Sequence, residues 1–352
     1  MTIVVNEREE IDTWLREHWP DRVFEASDAL KGGDFSGAYT LYCSIAECDN
    51  QRYILKRYNP LGVSGVQTEK LNYQLFGEHL LFPRLEAFLP KGTDSLRIMA
   101  YGVLLSYYPH KVALAGISVV EVLAIGLSMA TMLSCFAEKG RIYFDLRADS
   151  LRVDSEGGLH LIDFSDLITM DELLRRPTDA AGLPVIDRKS AFIPPEGREY
   201  ERALNEYHDG KLAWSRVEKV AYAIHPERYQ VFTLAGLIIE LLVGTSAGDA
   251  ALRARIARAD EPNDGGFTVE ERDALLDLLT RMQDPNERNR PSFTAVRAVF
   301  WSLLGPRLKA ESIALNSSSN RAAKLLRTIS RRDADCTSSQ IHESLTAYWS
   351  TY

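Results

Sequence analysis

The chain has 352 residues, of which 45% are hydrophobic and 26% are charged, and its formal net charge is −8. This length predicts about two domains, and the hydrophobic content excludes a disordered or fibrous chain. The acidic balance argues against a protein that binds nucleic acid or anionic membrane surfaces. The four cysteines are Cys43, Cys48, Cys135 and Cys336. Their spacing matches no metal site or disulfide framework, which predicts reduced thiols and a cytoplasmic protein, with secretion as an effector left open.

The first 110 residues have the texture of a sheet. Aromatic and β-branched side chains dominate several short runs, which is typical of strands, and one longer run has helical periodicity. We predict strands at 38–42, 53–56 and 103–108, and a helix at 68–80.

Beyond residue 112 the pattern becomes helical. We predict helices at 117–139, 232–243 and 269–281, and strands at 151–153 and 159–162. The two strands flank Gly157-Gly158, a pair typical of a hairpin turn.

One apolar run suggests either a core helix or a membrane span. Residues 122–136 carry no charge, but the run is shorter than the ~20 residues that a membrane span needs. Glu121 and Glu138 flank it, so we predict a buried helix and no membrane span. Residues 1–10 are acidic and lack the basic start and apolar stretch of a signal peptide.

The C-terminal end is basic, because residues 312–332 contain no acidic side chain. A short helix over 321–332 would have basic residues on one side and Leu325, Leu326 and Ile329 on another. One interpretation is a solvated basic end. The other is a tail that binds a partner or is autophosphorylated.

Two features of the N-terminal half suggest a phosphate site. Gly32, Gly33 and Gly37 precede a strand, where backbone N–H groups can approach a phosphate, although such a loop is often only a turn. Lys56 lies within an apolar strand, where an inward ammonium needs a counter-charge, and Glu69 is its natural partner. A lysine that reaches solvent at the strand end is the alternative.

Two aspartates further along occupy positions suited to chemistry. Asp145 precedes Arg147 by two residues on a loop between a helix and a strand, and Asp163 directly follows an apolar strand. Taken singly, each is typical of an ordinary turn.

Taken in order, these signals resemble the signature set of the protein kinase family: a glycine loop, a strand lysine, a helix glutamate, a catalytic-loop aspartate, and Asp-Phe-Gly. Three later segments add to the resemblance. Phe192-Ile193-Pro194-Pro195-Glu196 is similar to the Ala-Pro-Glu motif, residues 231–244 to the central helix, and residues 284–291 to the late motif that ends in Arg-Pro. The resemblance covers residues 20–305.

The resemblance implies an α+β, bilobal protein-kinase-like fold with a β-rich N-lobe and a mainly helical C-lobe. It divides the chain into an N-terminal extension (1–20), a kinase N-lobe (21–108), a kinase C-lobe (109–305) and a Ser/Thr-rich basic tail (306–352). The stretch 197–229 is longer than the family usually has and rich in charge. We interpret it as an inserted helix pair that contacts a substrate or partner.

The implied function is ATP-dependent phosphoryl transfer to Ser/Thr hydroxyls of a protein substrate, with the chain itself as a further candidate substrate. The implied site residues fall into four groups by role. Gly32, Gly33 and Gly37 would cover the phosphates, and Lys56, paired with Glu69, would contact the α/β-phosphates. Residues 103–108 would form the adenine hinge, with Leu105 at the gate of the pocket and Ser106, Tyr107 and Tyr108 beside the nucleotide. Asp145 would orient the acceptor hydroxyl, with Arg147 beside the phosphoryl group. Asp163 and Ser150 would hold Mg²⁺, with Mn²⁺ as a second candidate ion. The family pattern also implies a structural salt bridge between Glu196 and Arg290.

Several positions depart from the family pattern. Asp34 replaces a loop glycine, Tyr143-Phe144 replaces His-Arg, Ser150 replaces an asparagine, Ser165 replaces a glycine, and Gln230 replaces an aspartate but can still hydrogen-bond. These departures support an alternative, a catalytically weak or dead pseudokinase that acts as a nucleotide-binding regulatory scaffold. A small-molecule phosphotransferase is a third hypothesis, which Pro194-Pro195-Glu196 together with Arg290 argues against.

Overall fold

The structure is a computed structural model. It describes residues 23–30, 36–45, 48–58, 63–76, 85–89, 101–106, 110–112, 116–162, 164–175, 192–244, 249–260, 266–308 and 318–330. In the strands before residue 112, only the backbone is described. The chain divides into two compact units. Unit 1 comprises Met1–Glu78 and Phe82–Tyr108, and unit 2 comprises His79–Leu81 and Pro109–Tyr352.

Unit 1 contains a five-stranded antiparallel sheet with the strand order β1-β2-β3-β5-β4. Its strands are β1 (Val23–Leu30), β2 (Ser36–Ile45), β3 (Cys48–Tyr58), β4 (Leu85–Leu89) and β5 (Tyr101–Ser106). Helix α1 (Val63–Phe76) packs on β3 and β5. It begins and ends about one turn earlier than the predicted helix at 68–80.

Unit 2 is built mainly from helices. These are α2 (Val119–Glu138), α3 (Met170–Arg175), α4 (Pro195–His208), α5 (Trp214–Ala223), α6 (Pro226–Val243), α7 (Asp249–Ala257), α8 (Val269–Met282), α9 (Phe293–Leu308) and α10 (Ser318–Ser330). Its strands are β6 (His110–Lys111), β7 (Ile142–Tyr143), β8 (Leu151–Val153), β9 (Leu159–Leu161) and β10 (Leu167–Ile168). The three helices predicted at 117–139, 232–243 and 269–281 are confirmed as α2, α6 and α8.

Helix α2 is the centre of the core of unit 2. Ser118 and Glu121 begin it with a capping box, in which each side chain bonds the backbone N–H of the other residue. The helix packs against α6, α9 and α10. Among the described residues, α2 is the one helix long and apolar enough to cross a membrane, and its apolar window is completely buried inside the protein. That burial is typical of a core helix.

The hairpin of β8 and β9 lies beside this core. Asp154 closes its turn, because its carboxylate accepts hydrogen bonds from the N–H groups of Glu156 and Gly158. Gly157 has a φ of 92°, a backbone conformation that favours glycine. The predicted hairpin is therefore confirmed.

Helices α4 and α5 form a pair, as predicted for the stretch 197–229. They enclose a small cluster of buried side chains that includes Tyr200 and Val217. Burial raises the pKa of Tyr200 to about 12. The cluster continues to Phe144 and Tyr229, whose rings meet edge to face at 5.1 Å between centroids. The pair is thereby joined to the loop that follows β7.

The basic end of the chain forms helix α10, which packs on α2 and β9. Its buried side chains are Ala322, Ala323, Leu325 and Leu326. Arg321 donates to both carboxylate oxygens of Glu121, at 2.6 and 3.1 Å. The part of the tail that the structure describes is therefore packed on unit 2, and it does not form a fully solvated end.

The fold class predicted from the sequence is wrong. We expected an α+β, bilobal protein-kinase-like fold with a β-rich lobe. Where side chains are described, 73% of the residues are helical and there are only two small two-stranded sheets. The physical reason is that helices supply most of the core side chains, whereas the strands of unit 2 are two or three residues long and cannot form a layer.

The expectation of four reduced thiols is also wrong. Cys135, which is 6% exposed on α2, is disulfide-bonded. The side chains of the other three cysteines lie outside the described residues.

Candidate functional site

The candidate site in unit 2 is the loop between β7 and the short 3₁₀ turn Ala148–Ser150. The Asp145 carboxylate is buried there, and its Oδ2 lies 2.9 Å from Nη2 of Arg147. A buried carboxylate is stable only when it is paired, and the guanidinium meets that need. The side chain of Arg147 is 31% exposed, so it also reaches solvent. The arrangement places a buried carboxylate beside a cation that is partly exposed to solvent.

Gln230 of α6 fixes the start of this loop. Its side chain is completely buried, and its Oε1 accepts a hydrogen bond of 3.2 Å from the backbone N–H of Tyr143. Its Nε2 donates to the carbonyls of Arg141 at 3.2 Å and Leu133 at 3.4 Å. The prediction that this neutral amide still hydrogen-bonds is confirmed. Because an amide both donates and accepts, one side chain binds α2, the residue before β7 and the last residue of β7.

Ser150 lies on the other side of Asp145. Its hydroxyl donates to the Asp145 carbonyl at 3.1 Å, and its own carbonyl accepts from the N–H of Ile162 at 2.9 Å. The carbonyl of Ile162 in turn accepts from the hydroxyl of Tyr143 at 2.8 Å. The loop is thus bonded to Ile162, which follows β9 and directly precedes Asp163.

Glu240 of α6 also contacts the loop, and its Oε2 accepts the backbone N–H of Ala148 at 3.1 Å. Burial raises the pKa of this carboxyl, and the negative charge of Asp149 adds to the rise. The Ala148 N–H and the Arg147 guanidinium oppose it. Sequence reasoning missed Glu240, although a single acid inside the apolar run 232–243 was a visible signal.

The salt bridge between Glu196 and Arg290 is confirmed. It is bidentate, with N–O distances of 2.5 and 2.9 Å, and Arg290 is 1% exposed. The remaining donors of Arg290 bond the carbonyls of Arg228 and Asp284, at 3.0 and 2.8 Å. The pair therefore connects the start of α4 to the segment before α9 and has a structural role.

In unit 1, Glu69 is completely buried on α1, the helix that packs on β3. Lys56 lies on β3, where its backbone pairs with Ala38 of β2 and Val103 of β5. Gly37 lies on β2, opposite Arg57.

Two further predicted site residues of unit 1 lie on its sheet. Leu105 and Ser106 lie on β5, opposite Ile54 and Tyr53. Gly32, Gly33, Tyr107 and Tyr108 lie outside the described residues, as does Asp163 of unit 2. The predicted residues that the structure brings together are Asp145, Arg147 and Ser150.

The described residues do not form a metal site by themselves. Within the described ranges, no group of three or more His, Cys, Asp or Glu side chains is placed to hold an ion. Ser150 is 3% exposed and its hydroxyl is engaged with the Asp145 carbonyl. The prediction of Mg²⁺ thus depends on Asp163.

Comparison with known proteins adds no family assignment. No family model matches the sequence, and no curated protein matches it significantly.

Proposed function

We propose that the chain transfers the terminal phosphoryl group of ATP to Ser or Thr hydroxyls of a protein, its own tail included. The observation that carries the proposal is the buried Asp145 carboxylate, ion-paired with Arg147 on a loop bonded at both ends to α6. Phosphoryl transfer requires little covalent work from a protein beyond positioning the reactants and offsetting their charge. A carboxylate and a cation held by a rigid backbone meet that requirement.

Each residue of the pair has its own role in the proposal. Asp145 accepts a hydrogen bond from the acceptor hydroxyl, orients its oxygen toward the phosphoryl group and takes up its proton. Arg147 offsets the negative charge on the phosphoryl oxygens. Lys56 and Glu69 are assigned to the ATP phosphates by the resemblance alone, supported by the burial of Glu69 on the helix beside β3. Mg²⁺, where bound, would neutralise charge on the phosphates.

A second function is favoured by the state of Ser150. The hydroxyl is buried and donates within the loop, so it is a poorer metal ligand than the amide that the resemblance would require. A chain with one ion site fewer would bind nucleotide but transfer phosphate slowly. It would then act as a regulatory scaffold.

The test compares the wild-type chain with Asp145→Asn and with Asp277→Asn, an exposed aspartate of α8. Each is incubated with a generic protein substrate and Mg-ATP or Mn-ATP, and mass spectrometry follows phosphate on residues 312–350. We expect Asp145→Asn to reduce incorporation by roughly 10²–10⁴-fold, the usual value of a positioned acid–base group. Asp277→Asn should equal the wild type.

Equal incorporation by the wild type and Asp145→Asn contradicts the proposal. A thermal-shift titration then tests the scaffold, because a ligand that binds only the native state raises the Tm. Absence of any shift with ATP, with or without metal, removes both nucleotide functions.

A further inference from the structure

The 3₁₀ turn Ala148–Ser150 begins without a cap of its own. N–H groups at the start of a helix have no partner within it, and a side chain of the preceding residue commonly supplies one. Here the preceding residue is Arg147, whose side chain makes no capping hydrogen bond. The Ala148 N–H is bonded instead to Glu240, which lies 92 positions further along the chain.

The surroundings of Glu240 make its presence costly. It is the one charged residue between Phe232 and Val243, a stretch of the helix that is mostly buried. Burial disfavours its charged form, and the carboxylate of Asp149 is nearby. A leucine at this position would continue the apolar helix without that cost. The carboxylate therefore has a use that outweighs its desolvation.

Two hydrogen bonds from α6 hold the backbone of the loop that carries Asp145. Gln230 holds the N–H of Tyr143, and Glu240 holds the N–H of Ala148. Asp145 and Arg147 lie between these two points, in a segment of six residues. In an α-helix, ten residues span about 15 Å, so the two attachment points are well separated on one rigid element.

We infer that Glu240 is a positioning residue, which holds the backbone after Arg147 so that its guanidinium stays on the Asp145 carboxylate. The inference rests on the proposed function of Asp145. Glu240 acts as a hydrogen-bond acceptor from α6, and it contacts neither nucleotide nor acceptor.

The experiment uses the full chain and compares Glu240→Ala, Glu240→Gln and Glu199→Gln. The first removes the acceptor, the second keeps a carbonyl oxygen without charge, and the third changes an exposed glutamate of α4. Two quantities are measured: kcat and KM for phosphate transfer, and the hydrogen-exchange rate of the Ala148 amide.

We expect Glu240→Ala to lower kcat by roughly 10–100-fold, the effect of a misplaced catalytic group, with KM values changed less than about 3-fold. The Ala148 amide should exchange at least about 10-fold faster, because its partner is gone. Glu240→Gln should restore most of both quantities. Glu199→Gln should match the wild type.

Three results overturn the inference. These are unchanged kcat in Glu240→Ala, a loss as large in Glu240→Gln as in Glu240→Ala, or unchanged exchange at Ala148. If the wild-type chain transfers no phosphate, the proposed function fails on its own account. The exchange rates then decide whether Glu240 holds the loop.

Discussion

Arg290 is the largest completely buried polar side chain among the described residues, and its donors serve three different segments. A bidentate pair with a carboxylate fixes both the distance and the plane of the two groups. The guanidinium carbon of Arg290 lies over the Phe232 ring, 4.8 Å from the ring centroid. The residue therefore acts as a junction between α4, α6 and the turn before α9.

Replacing Arg290 should strongly destabilise the folded protein. We expect Arg290→Ala to lower the free energy of unfolding by about 3–5 kcal/mol, because it leaves the mostly buried Glu196 carboxylate without its partner. Arg281→Ala, which removes the exposed pair with Asp277, should cost at most about 1 kcal/mol. Urea denaturation of the three proteins measures both values. Equal losses in the two variants would contradict the structural role of Arg290.

At the scale of single residues, a contact could be predicted from the sequence where the type of one residue determines the type of its partner. A fully buried arginine needs a carboxylate, so the pairing of Glu196 with Arg290 was predictable from the resemblance. The contact between Glu240 and Ala148 was not, because it joins a side chain to a backbone N–H 92 positions away. Residue types carry no information on backbone donors.

Among the elements, α10 shows how a charged pair and an apolar stripe act together. Its small and apolar side chains cover α2, and Arg321 meets the carboxylate of Glu121. Burial opposes the ionisation of Glu121, but bonds from Arg321 and Ser118 outweigh it and lower its pKa below 4.5.

This ion pair should make the docking of α10 depend on pH. A carboxyl whose pKa is lowered by folding stabilises the native state above its unfolded pKa, and the contribution is lost as the pH falls through the folded-state pKa. At pH 7, Arg321→Ala should therefore lower the stability by about 0.5–1 kcal/mol, the value of a partly exposed pair. The difference from the wild type should shrink once the pH falls below 4.5.

Thermal unfolding from pH 3 to pH 7 measures the effect. Lys219→Ala, which changes an exposed lysine of α5, should show no such pH-dependent difference. A constant difference between Arg321→Ala and the wild type over the whole range would mean that Glu121 is not the partner that matters.

Element prediction succeeded where periodicity is strong. The long apolar helices α2 and α6 were found, because a long apolar run admits few alternatives. The sequence did not predict what α10 packs on. A basic amphipathic helix has the same sequence pattern whether its apolar face meets solvent, a partner or its own chain. That choice depends on the tertiary structure.

At the scale of the molecule, the predicted fold class contained too much β-strand. Local motifs describe loops and their chemistry, and such loops can be carried by different proportions of helix and strand. The balance in unit 2 is decided by α2, whose every face is covered by other elements. No single motif encodes that enclosure.

The disulfide of Cys135 adds a covalent constraint to α2. We expect a reductant to lower the stability by about 2–4 kcal/mol, because the cross-link restricts the unfolded chain. Thermal unfolding with and without dithiothreitol measures the change. Cys135→Ser should melt like the reduced wild type and should be insensitive to the reductant. Equal melting temperatures of the oxidised and reduced wild type would contradict the constraint.

The burial of α2 also has a consequence for synthesis. Glu121 and Arg321 lie 200 positions apart, so α2 leaves the ribosome long before α10 exists. At about 5–20 residues per second, that interval lasts roughly 10–40 s. During this time, an apolar helix long enough to be mistaken for a membrane anchor lacks its covering partner. The core around α2 is therefore completed only after most of the polypeptide has been made, and until then the exposed apolar helix favours aggregation.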